Sequence, residues 1–214
     1  MGDGQAMIRK ITGYSLLATA LLGLFPLACQ PGGVGDPCTP EDEYNQTFPG
    51  YQATEVNVES KSFQCETRVC LVNHFQGRVS CKYGQASPPA TQPATGMPST
   101  ACHVPGDANL NIVAQVSPQL KTRQADAAVY CSCRCDGPDS NARYCKCPSG
   151  YACEHLVDEL GIPGAKGQLA GSYCVREGTK YVKAKLDPTT CSPIGGTANS
   201  DGTFTGTCGD APQG

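Results

Sequence analysis

Cysteine governs what this chain can become: fifteen are spread over 214 residues, while the apolar residues that normally build a core are scarce. The first, Cys29, closes an apolar N-terminal segment, and the other fourteen lie downstream. In a chain addressed out of the cytoplasm cysteines pair, so an odd total implies one cysteine with a separate task. Beyond Cys29, Leu, Ile, Val and Phe make up about 15 % of the residues, and Trp is absent. A chain below about 20 % in those four types does not ordinarily build an adequate core. Seven bridges at a typical 2–4 kcal/mol each, discounted for non-additivity, could supply on the order of 10 kcal/mol. That is the scale of a whole domain's net stability. The expected fold is therefore small and disulfide-rich, β-rich or α+β, with short strands and hairpins and one short helix near 150–160.

Arg9 and Lys10 precede the apolar run Leu16 to Leu24, which leads through Phe25-Pro26-Leu27-Ala28 into Cys29. A basic start, an apolar stretch of about ten residues and a small residue before a cleavage point make a secretory leader. The stretch is too short for a membrane span, which needs roughly 20 apolar residues. Residues 1–6 carry an acid, whereas Met7 opens the basic sequence Met-Ile-Arg-Lys, so Met7 reads as the true start. In Pro26-Leu27-Ala28-Cys29 the chain resembles the lipobox of bacterial lipoproteins, matching at the small residue and the cysteine and departing at Pro26, where Leu is usual. The resemblance implies removal of residues 1–28, a diacylglycerol on the Cys29 sulfur and an acyl chain on its amino group. Several acyl chains anchor a protein stably where one is marginal. Gln30 in place of Asp implies the outer membrane of a bacterial cell envelope, with the protein facing periplasm or exterior. As a whole the layout resembles the cysteine-rich bacterial lipoproteins of unknown function, a likeness that implies no activity.

Residues 29–54, rich in Gly and Pro, read as a lipid-anchored flexible tether whose distal part Cys38 fastens. Residues 55–208 read as the stapled domain, and 209–214 as a polar tail. Val56-Asn57-Val58 alternates as a half-buried strand does. Thr67 to Asn73 and Arg78 to Tyr83, bracketed by Cys65, Cys70 and Cys81, predict one hairpin. Ser172 to Arg176, which holds Cys174, and Lys180 to Lys185 predict another. Residues 86–101, with four prolines and no charge, form either a surface loop or a linker between two lobes ahead of Cys102. Ser149 can cap, and Gly161 end, a helix whose stripe is Cys153, Leu156, Val157 and Leu160. Cys191 and Cys208 enclose a Gly-, Ser- and Thr-rich loop and can pair locally, although fourteen cysteines allow about 1.35 × 10^5 pairings.

The densest region holds Cys131, Cys133, Cys135, Cys145, Cys147 and Cys153. On a strand from Val129 to Cys135, a period of two puts the first three on one face and turns Tyr130, Ser132 and Arg134 the other way. Neighbouring cysteines then stand nearly 7 Å apart at Cα, at the limit for a bridge. Each must bond to a different element, which makes the strand a structural hub. Cys131-Ser-Cys-Arg-Cys135 with Cys145-Lys-Cys147 resembles the thiolate clusters of metallothioneins, which implies soft-metal binding. An exported chain meets oxidants first, so disulfides are expected, with no metal and no other cofactor. Cys145 to Cys153 also resembles the end of an EGF-like module, departing from it in the five residues between Cys147 and Cys153.

Catalytic signatures are not apparent. There is no Gly-x-Ser-x-Gly elbow, His-Glu-x-x-His or phosphate-cradling loop. Ser99 stands where a c-type haem site ending in Cys102-His103 would need a cysteine. The three histidines are His74, His103 and His155, the last expected to face solvent. A net charge of −3 offers no basic field for nucleic acid. The sequence favours a non-catalytic binding or structural module, held to the membrane by lipid, that meets an envelope protein or polysaccharide. One alternative is a thiol-based protein that buffers soft metals or exchanges disulfides through its Cys-x-Cys pairs. Another is a hydrolase assembled from distant residues.

Overall fold

An apolar run without alternation, such as Val69-Cys70-Leu71-Val72, belongs in a strand covered on both faces. In the structure, a computed structural model that describes residues 32–86, 101–159, 169–193, 197–198 and 204–208, this run does so. It lies in β2 (Val69–Asn73), central in an antiparallel sheet between β1 (Val56–Glu59) and β5 (Val129–Ser132). Cys70, Val72, Val129 and Cys131 join Tyr51 and Phe75 in one cluster. Leu71 and Tyr130 point to the opposite face, against Tyr173 and Val175. Those two belong to a second antiparallel sheet, ordered β6 (Arg134–Asp136), β8 (Gly171–Arg176), β7 (Tyr151–Val157). The chain steps between sheets at Cys133, where the Ser132 hydroxyl donates to the Cys174 carbonyl at 2.8 Å and the Cys174 amide to the Cys133 carbonyl at 3.1 Å.

Smaller pieces surround the two sheets. β3 (His103–Val104) pairs with β4 (Asp107–Asn111), and β9 (Thr197–Ala198) with β10 (Phe204–Thr205). The α-helix among the described residues is one turn, α1 (Ala125–Ala128). Three alanines favour it, and Val129, extended at φ −129°, turns the chain into β5.

Cystines occupy the space that aliphatic side chains fill elsewhere. Seven bridges form, Cys38–Cys70, Cys65–Cys131, Cys81–Cys102, Cys133–Cys145, Cys135–Cys153, Cys147–Cys174 and Cys191–Cys208. The first two lie inside the cluster with Val72 and Phe75, and Cys81–Cys102 lies among Val104, Ile112 and Val116. The fold is thus the small, disulfide-rich, strand-dominated architecture that the composition implies.

Several local expectations are corrected. Residues 150–160 do not begin a helix: Tyr151–Val157 is strand β7. Gly150 has φ +84°, outside helical space, so Ser149 cannot cap a helix there. The helix-like stripe arises because a register shift between His155 and Val157 brings Leu156 and Val157 both against the core. Leu160 and Gly161 lie outside the described residues. The hairpin expected over 67–83 does not form, because both edges of β2 are taken by β1 and β5. Residues 78–83 instead make consecutive turns, with the Cys81 amide on the Arg78 carbonyl and the Gly84 amide on the Cys81 carbonyl. Lys180 to Lys185 likewise finds β8 already flanked by β6 and β7, and Lys183–Lys185 is a 3-10 turn.

The tether expected over 29–54 is packed from Gly32 onward. Gly32 bridges Cys65 in parallel, Pro37 bridges Tyr130, and Cys38 is bonded to Cys70. Tyr51 is buried and exchanges backbone hydrogen bonds with Gly77 at 2.9 and 3.0 Å. Gly77 sits at φ +87°, and a side chain there would strike the Ser117 carbonyl, so the close approach needs glycine. The Pro-rich stretch is largely outside the described residues, but its two ends are tied. Cys81 bonds to Cys102, and Gln85 and Val116 exchange two backbone hydrogen bonds of 2.9 Å.

Candidate functional site

The candidate chemistry gathers at the sulfur hub where the two sheets meet. Cys131, Cys133 and Cys135 each bond to a different segment: Cys65 in a loop, Cys145 in a second loop and Cys153 in β7. The strand drawn from Val129 to Cys135 is two strands broken at Cys133, with a further register shift between Arg134 and Asp136, and the three bridges diverge to three separate segments. Each sheet also sets two cysteines opposite one another, Cys70 across from Cys131 and Cys153 across from Cys174. Neither facing pair is bonded to itself. Each of these cysteines bonds elsewhere, so bridges are packed against bridges.

Cys174 is the centre of the second group. Its sulfur lies 3.5 Å from that of Cys133 and 3.7 Å from that of Cys145. The sulfurs of Cys135, Cys147 and Cys174 are within 4.8 Å of one another, as are those of Cys38, Cys65 and Cys131. Such spacing suits a soft-metal thiolate site, but a thiolate is the ligand, and here each of these sulfurs is bonded as cystine. Exposure is graded across the hub: Cys174 is fully buried, Cys145 and Cys147 are half-buried and Cys153 is exposed.

Polar groups that the sequence does not single out organise the loops around this hub. Glu43 and Arg78 form an ion pair with Nε–Oε2 at 3.3 Å, both side chains fully buried. The Glu43 carboxylate also accepts from the Val79 amide at 2.7 Å and the Ser80 hydroxyl at 2.7 Å. Arg78 donates to the carbonyls of Glu43, Asn45 and Phe48. Arg123 does similar work from the other side, donating to the carbonyls of Asn73, His74 and Thr179 at 2.6–2.8 Å. Arg176 holds the carbonyls of Gly35 and Asp126 and the Tyr151 hydroxyl. Loops that lack apolar anchors are thus clamped by guanidinium groups, whose five donors in a fixed plane suit several carbonyls at once.

The histidines do not assemble a reaction centre. His74 stacks on Tyr181 with ring centroids 3.8 Å apart and planes 10° off parallel. Burial, and then the charge of Arg123, hold its pKa below the ordinary histidine value, although its hydrogen bond to Ala53 opposes this. His103 lies in β3. His155 is solvent-facing as expected: its Nε2 meets Asp158 Oδ1 at 2.9 Å, with side chains 61 % and 95 % exposed. Ser172 faces His155 across the β7–β8 ladder, but no hydrogen bond joins them and the carboxylate is in open water, where it orients little. Asn45-Gln46-Thr47 is a turn in which Asn45 Oδ1 accepts from the Thr47 amide and hydroxyl.

Cys29, the lipidation candidate, lies outside the described residues. No helix among the described residues is long and apolar enough to cross a membrane. No protein-family model, curated protein or solved structure matches the chain.

Proposed function

We propose that this chain is an exported lipoprotein of a bacterial cell envelope, anchored to the outer membrane through lipid on Cys29. It acts there as a non-catalytic, disulfide-stabilised binding or structural module for an envelope protein or polysaccharide. The observation that carries the reading is the complete pairing of the downstream cysteines. The seven bridges use all fourteen, which leaves Cys29 no partner within the chain and leaves its sulfur for another bond. A domain whose loops are held by cystines and arginine clamps also suits an exposed location, because local opening, the step that admits proteases, is restricted.

The test is intact and peptide mass spectrometry of protein expressed with its own leader in a Gram-negative host. The expected mature chain starts at Cys29 and carries a diacylglycerol and an N-acyl group, and Cys29→Ser loses both and leaves the membrane fraction. A mature start elsewhere with unmodified Cys29 overturns the lipoprotein reading. A thiol–disulfide role is the second reading, favoured by the convergence of three bridges on Cys174. Thiol titration of the same unreduced protein separates the two. The structural module gives no more than two reactive thiols, and a larger number favours exchange.

A further inference from the structure

We propose that the loop from Lys61 to Arg68 is a membrane-docking surface, seated on the bilayer that receives the Cys29 lipid, with Phe63 at headgroup level. The inference rests on the lipoprotein reading above and adds a protein–membrane contact to it.

Only Gln30 and Pro31 separate Cys29 from Gly32. Three peptide steps span at most about 11 Å. Gly32 is gripped on both sides by this same loop: its amide donates to the Gln64 carbonyl at 2.7 Å, and its carbonyl accepts from the Glu66 amide at 2.9 Å. With hydrocarbon about 30 Å thick in a bilayer of roughly 40–45 Å, each headgroup layer is only about 5–8 Å deep. A lipidated Cys29 therefore cannot hold the domain at a distance. The surface around Gly32 must lie against the headgroups.

That surface is built for such a contact. Phe63 is 78 % exposed, the most exposed large apolar side chain among the described residues, well above Tyr44 at 50 %. It belongs to a rigid loop, because Cys65 is fully buried and bonded to Cys131. The Ser62 amide donates to the Arg68 carbonyl at 3.1 Å and closes the turn. The Arg68 guanidinium stands 4.2 Å from the Phe63 ring centroid. Arg68 adopts φ +65°, a left-handed conformation that a glycine would take without strain. Keeping arginine there places a cation beside an exposed ring, and Lys61 adds a second exposed cation against the single acid of the loop, Glu66. An aromatic ring flanked by basic groups is the combination that settles at a membrane interface and meets lipid phosphate.

The chain has no tryptophan, so Phe63→Trp supplies a single fluorescent reporter at an exposed aromatic position. The lipidated full-length variant is placed in vesicles of phosphatidylcholine and phosphatidylglycerol, with intact mass confirming the acyl groups. The expected result is a blue-shifted emission that brominated acyl chains quench, and weaker quenching when Arg68→Glu is added. An unchanged unfolding curve for Phe63→Trp certifies the fold. Water-like, unquenched emission from a protein that carries its lipid overturns the docking and leaves the lipoprotein reading standing. Photocrosslinking at position 63 to an envelope protein instead of lipid overturns the docking as well. An unmodified Cys29 defeats the lipoprotein reading itself and the docking with it, and intact mass tells that failure apart.

Discussion

Glu43→Gln should destabilise the protein by about 3–5 kcal/mol, the cost of leaving a buried charge without its partner. The glutamine keeps the shape of the side chain, so packing is nearly unchanged. What is lost is the counter-charge to a guanidinium that is fully buried. Two donors, the Val79 amide and the Ser80 hydroxyl, also lose an ionised acceptor. With net stabilities of roughly 5–15 kcal/mol for whole domains, this one oxygen-to-nitrogen exchange removes a large share. Urea unfolding reads the effect as a fall in midpoint at constant slope. Replacing both residues by apolar ones, Glu43→Leu with Arg78→Met, removes the unpaired charge but should recover only part of the loss, because the Val79 amide, the Ser80 hydroxyl and the carbonyls of Asn45 and Phe48 then lose their partners. A loss below about 1 kcal/mol for Glu43→Gln, the range of exposed ion pairs, would show that the pair is not buried.

Removal of the Cys65–Cys131 bridge by a double alanine substitution is the second large effect. The two residues are 66 apart in sequence, and closing a loop of that length in the unfolded chain corresponds to about 4 kcal/mol. The cystine also sits inside a cluster, with both cysteines fully buried, so alanines leave unfilled space there. Its loss should lower the global unfolding midpoint and also loosen the Lys61 to Arg68 loop that Cys65 fixes. The Cys191–Cys208 bridge, with a separation of 17, is the control. It closes a terminal loop, and its removal should speed amide exchange locally while leaving exchange in β2 and β8 slow. Equal midpoints for the wild type and the Cys65–Cys131 double variant would remove this bridge from the set that carries the fold.

The contrast between these two sites explains what the sequence makes readable. Cysteine positions act through rigid geometry. Cysteines at alternate positions of a strand stand too far apart to bond to each other, and Cys131, Cys133 and Cys135 do bond to three separate segments. The local pair Cys191–Cys208 and the strand at Val56 are equally local matters. Glu43 is different. It stands in the acidic run Glu41-Asp42-Glu43, and its burial depends on an arginine 35 residues away that no nearby residue announces. The packed course of residues 32–54 was hidden for the same reason, since Gly32, Pro37 and Cys38 are held by partners before β2, on β5 and on β2 respectively. At 151–157, period alone could not separate helix from strand, and the strand wins because Cys153 must face Cys174 across a ladder while bonding to Cys135. The two lost hairpins share one cause: each would need an edge of a central strand whose two edges are already taken by other strands.

Cystines stand in for a thin apolar core in this fold. Complete reduction and alkylation of the mature protein, followed by urea unfolding read by far-ultraviolet circular dichroism, tests this most directly. The predicted result is a reduced chain with no cooperative transition at 25 °C, while the oxidised protein unfolds in a single sharp step. A reduced chain that still unfolds cooperatively, near the midpoint of the oxidised protein, would contradict it.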